Sequence, residues 1–109
     1  MSVLSEERME QALSFLAGTD IECAEKLADM ERLEFKAKSM KAAAFLHLTG
    51  TVAEREASAT VAPDVLKAYG DYFAAIRDYN AVKNQRSTES IVVDAWRSVN
   101  SNRRMGSAM

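Results

Sequence analysis

Residues 21–48, IECAEKLADMERLEFKAKSMKAAAFLHL, contain neither glycine nor proline and few β-branched side chains. Apolar residues recur in this stretch at steps of three or four positions: Leu27, Met30, Leu33, Ala37, Met40, Ala44 and Leu48. Such a period of about 3.5 residues keeps one helical stripe in line against a neighbouring helix, as in a coiled coil. The stretch therefore predicts a long helix over residues 20–49 that packs along a second helix.

A separate helix is predicted before this one, over residues 5–17. Ser5 is available as its N-cap, and Gly18 is placed to end it. Thr19 and Glu22 then have the spacing of a capping box, in which each side chain satisfies the other residue's backbone N–H group, so the long helix begins here. We expect the short N-terminal helix to fold back over Trp96 and its neighbours.

Gly50 is expected to end the long helix, and Thr51 with Glu54 forms a second capping box that opens a short helix over residues 52–60. This short helix would connect two long ones at a corner.

Pro63 suits the first position of the last helix, which we expect over residues 63–100. The polar stretch at residues 83–90 allows two interpretations: a loop with Ser87 capping a fourth helix, or an unbroken helix. We favour the unbroken helix, because the stretch contains neither glycine nor proline. Residues 105–109 lack a pattern and are expected to be a disordered tail.

The predicted fold class is all-α: one domain over residues 1–104, built as a long antiparallel helical hairpin with a short N-terminal helix and a short connecting helix. A hairpin that turns near residue 56 would place Leu48 opposite Val65, Glu34 opposite Tyr79, and Leu27 opposite Arg86.

Composition argues against an active site. Of 109 residues, 48% are hydrophobic and 28% charged, with one cysteine, Cys23, and one histidine, His47. These two residues cannot supply a His/Cys metal cluster, and no Gly-rich phosphate loop or nucleophile elbow is present. We expect no catalytic residue, no metal and no cofactor. No stretch reaches the roughly 20 apolar residues of a membrane span, so a cytoplasmic protein is expected.

Five residues in the last helix form the candidate interaction surface. Leu66, Tyr69, Phe73 and Ile76 make one apolar stripe, which is broadened by Val65, Tyr72, Tyr79 and Val82. One partner helix cannot cover so broad a face, and amphipathic aromatics are typical of association surfaces. We therefore expect a homodimer held by Tyr69, Tyr72, Phe73, Ile76 and Tyr79. The alternative is that the short connecting helix and its linker cover these residues within the chain.

The net charge of −2 conceals an uneven distribution. Residues 1–34 carry nine acids and three bases, whereas residues 35–109 carry seven acids and eleven bases. Arginine beside an exposed aromatic can contact phosphates and stack a base. An alternative function is therefore nucleic-acid binding through Lys83, Arg86, Trp96, Arg97, Arg103 and Arg104. Two observations argue against this alternative. Trp96 can equally be a core residue, and arginines near a helix C-terminus interact favourably with the helix dipole, which explains them without a ligand.

Residues 50–56 (GTVAERE), the Tyr/Phe-rich helix, residues 93–97 (VDAWR) and residues 102–104 (NRR) together resemble small helical accessory proteins of tailed bacteriophages and prophages. The likeness covers roughly residues 20–104. It implies no catalytic residues. It implies a phage-encoded protein in the host cytoplasm, from a region concerned with DNA replication, recombination or defence against the host, whose partner is a phage or host protein.

Overall fold

The computed structural model describes residues 4–108, apart from the side chains of 107 and 108. This part of the chain is all-α, as predicted, and contains three helices: α1 (Glu6–His47), α2 (Val52–Thr60) and α3 (Pro63–Ala108). Within it, no helix has both the length and the apolarity needed to cross a membrane.

The N-terminal part of α1 corrects one prediction. Ser5 does cap the helix, since its Oγ accepts a hydrogen bond from the Arg8 backbone N–H at 3.1 Å. The predicted break at Gly18 is wrong, because α1 continues through it without interruption. The hydroxyl of Thr19 caps no new helix and donates instead to the carbonyl of Phe15 at 2.7 Å. Accordingly, the predicted helices over residues 5–17 and 20–49 are one helix, and its first turns do not fold back.

The corner between the long helices agrees with the prediction better than the N-terminal part of α1 does. Helix α1 ends at His47, two residues before the predicted boundary, and Gly50 adopts a φ of 117° that favours glycine. Thr51 caps α2, because its Oγ1 accepts from the Glu54 backbone N–H at 3.1 Å. The predicted bounds of α2, residues 52–60, are confirmed.

Pro63 is the first residue of α3, as predicted, and residues 83–90 continue the helix. Two boundaries differ from the prediction. Helix α3 runs past residue 100 to Ala108, so residues 105–108 are helical, where a disordered tail was expected. Met109, the last residue of that predicted tail, lies outside the described residues.

The backbone forms two compact units, which we call the terminal unit (residues 4–23 and 81–108) and the central unit (residues 24–80). In the central unit, Tyr72 on α3 contacts Glu34 on α1. In the terminal unit, Arg86 contacts Leu16 and Thr19. The predicted register is therefore wrong: Glu34 faces Tyr72 where Tyr79 was expected, a shift of seven residues, and Arg86 contacts this earlier part of α1 where Leu27 was expected.

Each long helix buries a stripe whose steps alternate between three and four residues, which we call its seam. In α1 the seam comprises Met9, Ala12, Leu16, Thr19, Cys23, Lys26, Met30, Leu33, Ala37, Met40 and Ala44. In α3 it comprises Val65, Ala68, Tyr72, Ala75, Tyr79, Val82, Arg86, Glu89, Val93, Trp96 and Asn100. All are buried or half-buried, so the coiled-coil period inferred for residues 27–48 extends over both helices.

The apolar stripe predicted for the last helix is displaced from this seam. Leu66 and Phe73 of that stripe are 55% and 60% exposed. The neighbouring positions Val65 and Ala68 are buried in their place. The fully buried core of the described residues is correspondingly small, and four of its six members are alanines: Ala12, Ala37, Ala59, Val65, Ala68 and Val93.

Candidate interaction surface

The structure divides the five predicted interaction residues into two groups. Tyr72 and Tyr79 are half-buried members of the α3 seam. Tyr69, Phe73 and Ile76 lie one position to the side of the seam, and Phe73 is the most exposed of the five. The candidate surface is therefore narrower than predicted, since the seam tyrosines face α1.

Tyr72 is held by a hydrogen bond within the chain. Its hydroxyl donates to Oε2 of Glu34 at 2.9 Å, and Oε1 of the same carboxylate accepts from Nζ of Lys38 at 2.7 Å. The Lys38 hydrogen bond, and then that from Tyr72, hold the pKa of Glu34 below its ordinary value. The pKa of Tyr72 is raised, first by this hydrogen bond to Glu34 and then by burial. The carboxylate thereby fixes the α3 seam against α1.

The rings beside Tyr72 form one aromatic cluster. The ring centroids of Tyr69 and Phe73 are 6.1 Å apart, and those of Tyr72 and Phe73 are 5.7 Å apart, with tilted planes in both pairs. Such separations are within the range in which aromatic rings stabilise one another. The cluster places an aromatic surface beside the seam.

Two adjoining cavities of the central unit make this surface concave. One, of about 480 Å³, lies between the end of α1 and α2, and it is lined by Lys38, Lys41, Ala42, Phe45, Leu46, Glu56 and Tyr69. The other, of about 370 Å³, is lined by Lys41, Thr60, Leu66, Tyr69 and Phe73. Because both cavities share Lys41 and Tyr69, they form one depression, which we call the aromatic groove.

Ion pairs within the chain hold the lysines of the aromatic groove. Lys41 is 2.8 Å from Oε1 of Glu56, and Lys38 is 2.7 Å from Glu34. The hydrogen bond that Lys41 donates to Glu56 raises the pKa of Lys41, and the one that Lys38 donates to Glu34 raises the pKa of Lys38. Apolar side chains with polar groups at the margin are the usual composition of a protein interface.

Sequence reasoning missed the α1 side of the groove. Leu46 is 73% exposed and Phe45 is half-buried, although both fall within the stretch expected to pack on the partner helix. Arg55 of α2 explains how Phe45 is held: its guanidinium donates to the Phe45 carbonyl at 3.1 and 3.2 Å and lies 4.1 Å from the centre of the phenylalanine ring. The available signal was the period itself, because Phe45 and Leu46 fall off the three-and-four spacing.

The six residues considered for nucleic-acid binding are in different environments. Arg86 donates to the Leu16 carbonyl at 2.6 Å, to Thr19 Oγ1 at 2.7 Å and to Asp20 at 3.3 Å. Trp96 is half-buried in the seam, and Lys83 lines a cavity of about 270 Å³ with Arg86 and Cys23. The remaining residues, Arg97, Arg103 and Arg104, are exposed along the last turns of α3.

The other residues with reactive or metal-binding side chains, Cys23 and His47, lie in separate parts of α1. Cys23 is a half-buried free thiol, and His47 is the exposed last residue of α1. Over residues 4–108, no cluster of three or more His, Cys, Asp or Glu side chains has the arrangement of a metal site.

No protein-family model, curated protein or solved structure matches this chain.

Proposed function

We propose that this chain is a non-enzymatic interaction protein that self-associates through the aromatic groove. The observation that carries the proposal is the contrast between interior and surface. Within the described residues the fully buried core is mostly alanine, whereas Leu46, Leu66 and Phe73 around the groove are 73%, 55% and 60% exposed. Exposed large apolar side chains grouped around one depression mark interaction sites on soluble proteins.

The free energy gained by burying large apolar side chains, compared with that from the alanine core, favours association. A buried leucine or phenylalanine contributes about 1.5–3 kcal/mol, whereas alanine carries one methyl group and contributes far less. A chain of this size has a limited core, and small domains commonly supplement it by oligomerisation. A partner that covers Leu46, Leu66 and Phe73 would therefore add burial comparable with that of the two buried valines, Val65 and Val93.

Sedimentation equilibrium on two matched variants tests the proposal. Phe73→Glu places a charge at the groove, and we expect it to raise the dissociation constant of the oligomer by about thirtyfold or more, as the loss of a central anchor does. Phe35→Glu is the control, because Phe35 is 75% exposed and does not line the groove. Equal effects of the two substitutions, or none from Phe73→Glu, would argue against the groove.

One feature still supports the alternative function, nucleic-acid binding: the arginines on the last turns of α3 are exposed, namely Arg97, Arg103 and Arg104. Arg97 and Arg104 are seven residues apart and share a helix face. If these residues bind phosphates, affinity for single- or double-stranded DNA falls with salt by about 0.7–0.9 log units per contact for each tenfold rise. DNA binding that survives Arg97→Ala/Arg104→Ala with an unchanged salt slope would refute this alternative.

The resemblance to phage accessory proteins suggests where a second partner is found. We propose that the assembled protein acts on a phage or host macromolecule in the cytoplasm of the host. Purified protein that carries an intact groove would then retain such a partner from infected-cell extract, whereas the Phe73→Glu variant would not if assembly is required.

A further inference from the structure

The terminal unit has three charged side chains in its interior. Among the charged residues at positions 4–23 and 81–108, only Arg8, Arg86 and Glu89 are half-buried, and the others are exposed. Arg86 and Glu89 occupy seam positions of α3, and Arg8 reaches Glu89 from α1. The interior of this unit therefore holds two guanidinium groups and one carboxylate.

The ion pair of Arg8 and Glu89 joins the two helices. Nη1 of Arg8 is 2.6 Å from Oε2 of Glu89, and Nη2 is 2.9 Å from Oε1. The Arg8 side chain is 32% exposed and the Glu89 side chain is 15% exposed. Two parallel hydrogen bonds make this a strong form of ion pair, and partial burial reduces its screening by salt. Loss of the carboxylate charge would leave the Arg8 cation half-buried without its partner, which is strongly destabilising.

The other charged groups near Glu89 cannot replace its charge. On α3, Arg86 lies one turn before Glu89 and is itself positive, and its hydrogen bonds go to the Leu16 carbonyl, Thr19 and Asp20. The Asp20 side chain is 77% exposed. The remaining charged residues closest in sequence to Arg8 and Glu89 are all exposed: Glu6, Glu7, Glu10, Asp94 and Arg97. Protonation of Glu89 therefore leaves two half-buried guanidinium groups and no half-buried carboxylate in this unit.

The half-buried carboxylates of the central unit have a different environment. Glu34 pairs with Lys38 and Asp71 pairs with Lys67, and these lysine side chains are 65% and 78% exposed. When either carboxylate is protonated, the ammonium group is already in water. A protonated Glu34 also still accepts a hydrogen bond from the Tyr72 hydroxyl.

The central unit also has the more extensive packing. Among the described residues, the terminal unit contains only two of the six buried apolar side chains, Ala12 and Val93. The half-buried guanidinium of the central unit, Arg55, donates to the Phe45 carbonyl, which does not titrate. Its half-buried lysine, Lys41, carries its charge on a flexible stem that can extend into water. Acid therefore removes less stabilisation from the central unit.

We infer that the ion pair of Arg8 and Glu89 is an acid-sensitive switch, whose loss opens the terminal unit while the central unit stays folded. Local opening of this kind occurs in the least stable cooperative unit of a protein. It exposes the seam side chains of both helices in that unit, Val93 and Trp96 among them. The inference does not depend on self-association, because the aromatic groove lies in the central unit.

The direction of the pH dependence follows from the geometry. The hydrogen bonds from Arg8 hold the pKa of Glu89 below its ordinary value. A carboxylate of this kind stabilises the fold at neutral pH, and its contribution is lost as pH falls through the lowered pKa. The terminal unit is therefore closed at neutral pH and opens in acid.

An acid titration with one probe in each unit tests the inference. Trp96 is the sole tryptophan of the chain and lies in the terminal unit, whereas all three tyrosines lie in the central unit. We expect the fluorescence of Trp96 to change at a higher pH than the amide NMR signal of Tyr72. Simultaneous changes of the two probes, or a Trp96 signal that stays constant until Tyr72 unfolds, would overturn the inference.

Variants of the ion pair connect this opening to Glu89. We expect Glu89→Gln to raise the open fraction at neutral pH about tenfold or more, because the charge-assisted hydrogen bonds are lost. Glu34→Gln is the matched control in the central unit and should leave the Trp96 transition unchanged. The double variant Arg8→Leu/Glu89→Leu replaces the pair by apolar side chains, a change that is often neutral or stabilising, and it should keep the terminal unit closed in acid. A double variant that opens at the same pH as the unmodified chain would refute the switch.

Discussion

Two nearby apolar residues of α3, Val93 and Ile91, are expected to contribute very differently to the stability of the fold. Val93 lies in the seam and is 4% exposed, whereas Ile91, two residues earlier, is 67% exposed. Truncating both to alanine removes two carbons from the buried position and three from the exposed one. The larger truncation is therefore expected to have the smaller effect.

The magnitudes follow from burial and helix propensity. Val93→Ala loses about 0.8 kcal/mol for each buried carbon, with a further cost for the cavity that remains. Replacing a β-branched residue by alanine recovers about 0.5 kcal/mol of helix propensity. The net loss is about 1–2 kcal/mol. For Ile91→Ala the propensity gain offsets most of the small lost burial, so the change stays within about 0.5 kcal/mol.

Thermal and urea unfolding followed by far-ultraviolet circular dichroism measure this difference, with all three proteins at one concentration because self-association affects apparent stability. For a domain of this size 1 kcal/mol corresponds to a shift in Tm of about 4–8 °C. An Ile91→Ala variant that loses as much stability as Val93→Ala would mean that the seam of the terminal unit is placed on the wrong face of α3.

Three further predictions concern single features of the fold. In the terminal unit the guanidinium of Arg8 holds the Glu89 carboxylate at 2.6 and 2.9 Å. This hydrogen bond keeps the pKa of Glu89 below its ordinary value, so the stabilisation is present at neutral pH and is lost as pH falls through the lowered pKa. Glu89→Gln should flatten the acid limb of a stability-against-pH curve, and an unchanged limb would contradict the pair. Gly50→Ala should destabilise the fold by about 1–3 kcal/mol, because φ is 117° at this residue. Gly18→Ala should stabilise the fold by about 1 kcal/mol, because α1 continues through residue 18. If denaturant unfolding shows that Gly18→Ala is the more destabilising of the two, a helix end at residue 18 would be restored. Arg55→Ala should lower the free energy of unfolding by about 1.5–3 kcal/mol, because its hydrogen bonds to the end of α1 are lost. An unchanged free energy of unfolding in the same assay would show that these hydrogen bonds do not stabilise the corner between α1 and α2.

The helices could be read from the sequence because periodicity and capping act locally. The predicted stripe from Met30 to Ala44, the Thr51 cap and the proline at the start of α3 all appear as expected. At the ends of the stripe, Lys26 takes the seam position predicted for Leu27, and Leu48 lies beyond the end of α1. The break at Gly18 does not, because a single glycine costs about 1 kcal/mol, and the seam positions on either side of it, Leu16 and Thr19, continue without interruption. Tertiary packing therefore overrides the local stop signal.

The register lay beyond sequence reasoning for a physical reason. A shift of seven residues moves each seam onto itself, so apolar residues still face apolar residues, and the period alone cannot choose between such registers. Polar contacts within each unit distinguish them: Tyr72 with Glu34, and Arg86 with Thr19 and Asp20. These contacts depend on side-chain reach and could not be inferred from spacing.

The candidate surface was predicted in part, for a related reason. Aromatic residues on α3 indicated an association face, and Tyr69, Phe73 and Ile76 lie on that side of the seam. Leu46 was missed because the association face was sought among the aromatic residues of the last helix alone, although the predicted stripe through Met40 and Ala44 already left Leu46 outside it. Its exposure follows from the position of the seam, which passes through Met40 and Ala44 and leaves Leu46 on the outer side.

The molecular mass of the unmodified chain in solution is the most direct test of self-association. Sedimentation equilibrium from roughly micromolar to millimolar concentration covers the range in which a modest interface assembles. If the chain self-associates, the mass rises from that of one chain, 12.0 kDa, to twice that value as concentration increases. A mass of 12.0 kDa at every concentration would contradict it.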